Sequence, residues 1–578
     1  MRALASVPHR LGSEPAAVPR IVLPITRRGV VVTDRVCWVL LAAAMVAAAT
    51  LILYLNRGTV FFADEFDRFA STPMRSVGEA FESHVGHLTA TSNLMFEAML
   101  GVFGAEYVAF RVLGVLVVLL SAGLFYALVR SRIGALPALA PTVLLLFLGS
   151  SWEMVVIPFG FNVVFSTAAG LAALLALERG DRLGDALACG ALLVSVATFS
   201  IGLAFTAGVA ISVLLRPDRR RRAWVFLVPA LLYAAWWLGA SPQEDQIPGG
   251  EPRLSNALLI PGYVADSLAA VLAALSGLGY DFADPLGAVD LGWGRVLAVA
   301  AAVWLGVRIA RRNVPRSLWT SLAIMLALWA LGALVVGTLR EPGAPRYLYA
   351  GSVVVLLVAT DAMRGIRFSR RGLALLFGIA AIGVATNVVL LREGSAFTRD
   401  YSAAVRADLA AVELARDRVD PDFRPLQHAP LGQFFTTTAG EYFVAADRYG
   451  SPAFSPSELE RAGEGAREQA DRTLADALRL RLRPSPGGPA GSACRRPGGQ
   501  RPGAPIEFEL PVDGAELTAR AAGPAPLTVG RFADLPSVDL GALRPGRRER
   551  LAIPADAEER PWRASVRGAT SVRVCAAP

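Results

Sequence analysis

The run VCWVLLAAAMVAAATLILYL, residues 36–55, decides the fold. It carries no charge and has the length, about 20 residues, that a helix needs to cross the hydrocarbon core of a bilayer. Directly after it comes FFADEFDRFASTPMRSVGEAFESHVGH, residues 61–87. This stretch places Asp64, Glu65 and Asp67 together, with His84 and His87 further along. Carboxylates at a membrane boundary are desolvated and repelled by anionic headgroups, so they need a reason to be there. They either mark the end of a span as a solvated loop or belong to a site.

Working outward, the composition agrees with a membrane protein. The chain has 578 residues, 54% hydrophobic and 18% charged, with a mean hydropathy of +0.46. That is too apolar for a soluble globule. The net charge of +9 comes from arginine, since the chain contains no lysine. Much of it lies in short loops between apolar runs, where it reports orientation rather than nucleic-acid binding.

The apolar runs predict spans at 36–55, 107–129, 136–157, 162–178, 184–200, 202–215, 223–240, 290–310, 318–337, 347–363 and 373–391. The pair 184–200 and 202–215 requires a tight hairpin at Ser200-Ile201-Gly202; a single helix there would change the parity. With the hairpin, one set of loops collects Arg130, Arg132, Arg179, Arg182, Arg216, Arg219–Arg222, Arg308–Arg316 and Arg364–Arg371. The other set holds only Arg57, Arg68, Arg75, Arg253, Arg340 and Arg346. The positive-inside rule then puts the N-terminus in the cytoplasm and loops 56–106 and 241–289 outside, together with the chain after 391. Within these loops, residues 76–81, 94–103 and 253–278 have helical spacing suited to helices lying along the interface.

Residues 1–35 read as a disordered cytoplasmic tail, without the apolar core and cleavage site of a signal peptide. Residues 392–493 read as an extracytoplasmic helical segment, with helices at 401–419 and 457–482, the second opening on a Ser-Glu cap. Residues 494–578 read as a small β-sandwich, with alternating strands at 506–510, 516–520, 527–532, 562–566 and 571–574. Cys494 and Cys575 bracket that unit and predict a disulfide in an oxidising compartment. Cys37 and Cys189 fall within spans as small apolar packing residues. The fold class is therefore an α-helical polytopic membrane protein of about 11 transmembrane helices, with a C-terminal extracytoplasmic α+β domain ending in a β-sandwich.

On the outside, the chemistry-bearing groups are Asp64, Glu65 and Asp67, His84 and His87, Arg111, Glu153, and Arg340, Glu341 and Arg346 with Tyr347. Carboxylates supply a general base or a metal ligand, and arginines hold phosphate through a planar fork of donors. Each has a plainer reading: Arg346 and Tyr347 as interfacial anchors, Arg111 and Glu153 as a mutual pair, the two histidines as surface residues. No nucleotide-binding, serine-hydrolase or zinc-protease motif occurs in a fitting context.

Over residues 36–391 the pattern resembles the type C glycosyltransferases (GT-C superfamily), polytopic enzymes that take sugar from a polyprenyl-phosphate carrier. The resemblance rests on Asp64-Glu65 after the first span, the loop ending at His87, LMFEAMLGVFGAEYVAFRVLG at 94–114, and PRYLYAG at 345–351. SWEMVVIPFGFN and TFSIGLAF are similar to an actinobacterial branch of that superfamily. The His-Pro-Pro of many relatives stands here as His87-Leu88-Thr89. The resemblance implies inverting transfer at the outer membrane surface, to a cell-envelope glycan, lipid or protein acceptor. Asp64, or Glu65 in a slipped register, would be the base, with His87 beside it. Arg346, with Arg340, would hold the lipid phosphate, and His84, Tyr347, Arg111 and Glu153 would line the substrate site. It also implies room for a divalent cation (Mg or Mn) at Asp64, although no ligand set in the sequence indicates one. The rival readings are a transporter or flippase for a lipid-linked saccharide, and a non-catalytic scaffold of the same fold.

Overall fold

The computed structural model describes residues 22–23, 30–31, 33–84, 86–239, 253–282, 287–311, 314–335, 341–432, 435–485, 493–497 and 504–576. The expected disordered tail lies largely outside them, as does Arg340. Nineteen α-helices are described. They are α1 Asp34–Leu55, α2 Asp64–Ser71, α3 Ala90–Phe103, α4 Tyr107–Ile133, α5 Ala135–Leu146, α6 Trp152–Val156, α7 Phe161–Glu178, α8 Arg182–Thr198, α9 Ile201–Leu214 and α10 Arg219–Arg222. There follow α11 Trp224–Gly239, α12 Ile260–Ser276, α13 Leu291–Ala310, α14 Arg316–Leu334, α15 Pro345–Ala362, α16 Arg370–Leu414, α17 Ala439–Tyr449, α18 Pro456–Arg461 and α19 Glu464–Ala477. Among the described residues, seven helices are long and apolar enough to cross a membrane, or eight if the bent pair α5–α6 is one span. The chain is a multi-pass membrane protein.

The helix ends sort onto two faces. On one, Arg130 at the end of α4 pairs with Asp34 at the start of α1 at 2.6 Å. Arg132 and Asp361, at the ends of α4 and α15, form a buried pair at 2.6 Å, and Ser321 of α14 donates to the same carboxylate. Arg222 of α10 pairs with Asp185 of α8. This is the arginine-rich face. On the other, which carries the long loops, Asn56 after α1 donates to the Val156 carbonyl, and Arg399 of α16 donates to the Leu55 carbonyl. The turn between α8 and α9 closes tightly: a Cβ on Gly202 would collide with the Ser195–Val196 backbone. The expected hairpin is there.

Helix α12, which with the turn before it is one of those seven by length and composition, has both of its ends on the loop face. At its start, Arg253 and Asn256 donate to the Leu334 carbonyl at the end of α14. At its other end the Ala274 carbonyl accepts from Ser150 and Asn387, beside the break between α5 and α6. Both ends therefore sit at the same level, as the amphipathic pattern of 253–278 predicted.

Four predictions about elements are corrected. The expected span 136–157 is broken, α5 and α6 meeting at 40° through the 3₁₀ turn Gly149–Ser151. Residues 76–81 form a 3₁₀ turn, Val77–Phe81, not an α-helix. The expected elements 373–391 and 401–419 are one helix, α16, 45 residues and about 67 Å long. No Pro or Gly-Pro breaker interrupts 392–400, so the helix runs on out of the membrane and carries the C-terminal unit. Further on, residues 457–482 split into α18 and α19 at Ala462-Gly463, where both residues adopt extended backbone.

The C-terminal unit is held to α16 by buried polar contacts. Asp408 accepts from Gln469 and Thr473 of α19 at 3.1 and 2.5 Å. Asp471 of α19 accepts from the backbone N–H groups of Phe532 and Ala533, tying the helix to the β unit. That unit is a sandwich of two antiparallel sheets. One, in spatial order, consists of 482–484, 548–552, 514–521, 569–576 and 494–495; the other of 538–543, 525–530, 563–566 and 506–509. Inward-facing Leu517, Leu527, Val529, Leu551, Ala564, Val566 and Val572 are fully buried, the alternation a sandwich requires. Strands 482–484, 494–495, 538–543 and 548–552 were not foreseen, because charged and short segments hide the alternation. The predicted disulfide is present: Cys494 and Cys575 are bonded across paired strands, 81 residues apart.

Closing a loop of that length restricts the unfolded chain by an amount equivalent to about 4–5 kcal/mol. Cys494→Ser is expected to lower the stability of the C-terminal unit by roughly that much. Denaturant unfolding followed at the sandwich tryptophan Trp562 measures it, and an unchanged midpoint would contradict it.

Candidate active site

The site grows out of the segment after α1. Phe61, Phe62, Phe66 and Phe69 are all buried. Phe61 stacks on Phe69 at 4.9 Å and meets Tyr107 edge-on at 5.0 Å. Phe62 packs on Tyr401 of α16 at 4.4 Å, and Phe66 stacks on Tyr442 of α17 at 6.0 Å. These rings fix α2 between the membrane helices and the C-terminal unit. Just before α2, Ala63 has φ +45°, a conformation costly for a residue with a Cβ. The Tyr401 hydroxyl accepts from the Ala63 N–H at 3.1 Å and holds it there. The strained turn starts α2 at Asp64.

The three acidic residues then diverge. Glu65 is 1% exposed, and its carboxylate accepts from the Phe62 N–H at 2.9 Å and the Tyr107 hydroxyl at 2.5 Å. It is a buried tie between α2 and α4, not an exposed substitute for Asp64. Asp67 accepts from Thr437 ahead of α17; burial raises its pKa although that hydrogen bond opposes the rise. Asp64 alone opens outward, its side chain 55% exposed although protein surrounds it, as on the wall of a cleft.

The charge around Asp64 decides its state. His84 Nε2 lies 3.5 Å from the carboxylate. Burial pushes the Asp64 pKa up, but the His84 hydrogen bond and the positive charges of His84, Arg68 and Arg346 outweigh it and hold the pKa below its usual value. Asp64 is therefore ionised at neutral pH, and the acid form appears only as pH falls through that lowered value. Arg68, on the same helix, is buried, and burial together with the repulsion of Arg75 lowers its pKa to about 10.

Arg346 begins α15, nearly three hundred residues from Asp64 in sequence. It meets Glu153 at 3.7 Å, lies 5.7 Å from the Tyr347 ring, and exerts its charge on Asp64. Glu153 reaches it because of the break between α5 and α6. Gly149 lies so close to α16 that a Cβ there would collide with the Asn387 carbonyl. The Asn387 side chain accepts from Ser150 N–H at 2.9 Å, and Ser151 Oγ donates to the Pro345 carbonyl at 2.8 Å. The backbone freed by the break is satisfied within the protein, as membrane depth demands, and the turn delivers buried Glu153 beside Arg346.

Of the predicted site residues, Asp64, His84, Glu153, Arg346 and Tyr347 thus come together. His87 does not join Asp64 directly: its Nδ1 is 2.8 Å from Ser200 Oγ and its ring packs on Phe199 at 4.2 Å, at the α8–α9 turn. The two-residue strands of 83–84 and 87–88 pair antiparallel with His84 directly opposite His87, so the two histidines are neighbours that differ in their partners, Asp64 for the first and Ser200 for the second. Arg111 is not Glu153's partner; it donates to the Asn56 carbonyl and seals the end of α1. Sequence reasoning passed over Arg68 as a mere loop charge. Its spacing of four from Asp64 on an amphipathic helix was the available signal.

Asp64 with one imidazole beside it does not make the oxygen-rich shell that Mg²⁺ or Mn²⁺ takes. Among the described residues no three His, Cys, Asp or Glu side chains gather into a metal site.

No protein-family model and no curated protein matches the chain. Three solved structures are similar in fold. ArnT from Cupriavidus metallidurans is 14% identical, with a TM-score of 0.42 over 68% of this chain and 82% of its own. The archaeal oligosaccharyltransferase AglB from Archaeoglobus fulgidus, solved with an inhibitory peptide and a dolichol-phosphate, is 14% identical, with a TM-score of 0.36 over 64% of this chain and 58% of its own. The arabinosyltransferase EmbB from Mycobacterium smegmatis is 12% identical, with a TM-score of 0.35 over 96% of this chain and 65% of its own.

Two outcomes follow from the geometry. Gly149→Ala pushes the turn off α16, so the fold should lose about 3 kcal/mol or more, as overpacked sites do; thermal unfolding in detergent reads it. His84→Ala removes a group that lowers the Asp64 pKa. The acidic limb of any Asp64-dependent activity should then move to higher pH, with the plateau largely kept, and a limb that stays in place would show that His84 does not set it.

Proposed function

We propose that the protein is an inverting membrane glycosyltransferase that moves a sugar from a polyprenyl-phosphate donor to an acceptor hydroxyl outside the cytoplasmic membrane. The observation that carries this reading is a cleft-facing Asp64, beside His84, within electrostatic reach of the Arg346 guanidinium that Glu153 holds at the start of α15. Following the positive-inside rule, the arginine-rich face is cytoplasmic and the loop face, with Asp64 and the C-terminal sandwich, is extracytoplasmic.

The chemistry is a single displacement. Asp64 takes the proton of the acceptor hydroxyl as its oxygen attacks the anomeric carbon. The bond from that carbon to the phosphate oxygen breaks on the opposite side, which inverts the configuration. The departing lipid phosphate keeps the electron pair, and Arg346, preorganised against Glu153 and Tyr347, stabilises the developing charge. A lipid-borne phosphate reaches the boundary of the bilayer, where Arg346 stands at the start of α15. Tyr107, Phe62 and the buried Glu65 hold α2 so that the base does not drift. The acceptor is a cell-envelope glycan, lipid or protein, and membrane lipids surround the spans.

Conservative changes separate the roles. Asp64→Asn keeps the shape and removes the base, so turnover from a polyprenyl-phosphate sugar should fall by about 10²-fold or more while donor lipid still binds. Arg346→Lys keeps a charge but loses the planar fork, so donor affinity should weaken together with turnover. Radiolabelled transfer and lipid binding in nanodiscs measure both. Saccharide movement across the membrane that survives Asp64→Asn would point instead to a transporter.

A further inference from the structure

A second polar cavity opens on the loop face, apart from the Asp64 cleft. It has a volume of about 520 Å³ and lies where the C-terminal end of α2, the middle of α3 and the end of α17 converge. Thr72, Arg75, Glu97, Gly101, Arg448 and Tyr449 line it. Its volume suits a small ligand, and its walls carry both hydrogen-bond donors and acceptors.

The cavity is built, not incidental. Its seam is the joint between loop 56–106 and the C-terminal unit, where Ala105 N–H donates to the Tyr449 carbonyl at 2.8 Å. Gly104, at φ +59°, allows that approach, since a Cβ there would strike the same carbonyl. The Arg448 guanidinium lies 5.3 Å from the Tyr449 ring centre, so a flat apolar surface and a fork of donors stand together. Arg75 is only loosely engaged, 3.9 Å from Glu79, and Glu79 already accepts from the backbone and hydroxyl of Ser76. Two guanidinium groups thus face one lining carboxylate, Glu97. On α3, Gly101 leaves the wall bare: a Cβ there would meet no atom within 4 Å.

Donor forks, a carboxylate and an aromatic face are what a polyhydroxylated ring uses, and the excess of arginine favours a carboxylate on that ring. We propose that this cavity binds an acidic oligosaccharide and holds the acceptor of the transfer proposed above at a distance from its reacting hydroxyl. The spacing supports an oligosaccharide over a monosaccharide. Asp64 opens α2 and Thr72 follows its last residue, so about 12 Å of helix separate the base from the cavity. A single sugar ring does not bridge that distance; a short chain does. Between them stands Arg68, whose carbonyl accepts from the Thr72 hydroxyl at the edge of the cavity.

The role of the cavity rests on the transferase reading, but its binding is tested without donor, so the two stand or fall separately. Full-length protein in lipid nanodiscs is titrated with tetragalacturonate and with its methyl ester, and binding is followed by calorimetry. The acid should bind saturably, and the ester about tenfold more weakly. Gly101→Phe, which fills the cavity from a position with open space, and Arg448→Gln, on an exposed side chain, should each weaken the acid by about tenfold or more. Gly101→Ala should bind like the unchanged protein and serves as the folding control. If Gly101→Phe does not fold, Arg448→Gln and the ester carry the test. No saturable binding to the unchanged protein, equal binding by the ester, or full binding by the folded variants overturns the proposal.

Discussion

A membrane helix can break only where something else satisfies its backbone, and that constraint governs this protein. The chain stops helix α5 at Phe147 and restarts beyond Ser151, with Ser150 and Ser151 fully buried. Asn387 answers it from α16, binding Ser150 N–H with its oxygen and the Ala274 and Gly383 carbonyls with its nitrogen. One side chain thereby locks the broken span, the long helix and the surface-lying α12 together. Gly149 makes the approach close enough, and Trp152, fully buried beside Gly394, keeps the next turn of α16 against it. Glu153 follows from this packing, and so does its meeting with Arg346.

The other half of the site depends on α16 continuing past the membrane. Its extension brings Tyr401 and Ser402 to the segment before α2, where they bond Ala63 and Val60. The same helix carries α17 and α19, so α17 can lay Tyr442 on Phe66 and bring Thr437 to Asp67. Asp64 is thus placed by contacts from both the membrane helices and the C-terminal unit. That arrangement explains why strain at Ala63 persists: neighbours on both sides determine it.

The arginine-rich face shows the opposite use of charge. Arg132 and Asp361 are buried with Ser321, and Arg222 lies against Asp185. These pairs close helix ends and leave little of their charge for a ligand. On the loop face the charges stay partly open: Asp64 is half exposed and Arg346 more than a quarter. Buried, closed pairs at the helix ends of one face and half-open charges on the other distinguish the two ends of the bundle.

The local patterns in the sequence were enough to establish that the chain is a helical membrane protein with a β-rich end. Hydrophobic length set most spans, the arginine bias set their alternation, and Cys494 and Cys575 were matched by their position at the two ends of one β unit. Apolar runs and turn residues are short-range signals, and the physics behind them is short-range as well. Tertiary structure decided what those signals leave open. Whether 136–157 runs straight depends on Asn387, more than two hundred residues away. Whether Glu65 or Asp64 faces the cleft depends on Tyr107. That His84 and not His87 stands beside Asp64 depends on Ser200 and Phe199, and that Arg346 pairs with Glu153 and not Arg111 depends on the Asn56 carbonyl. Each of these choices is made by a partner remote in the chain, and no local pattern of residues encodes which partner will arrive.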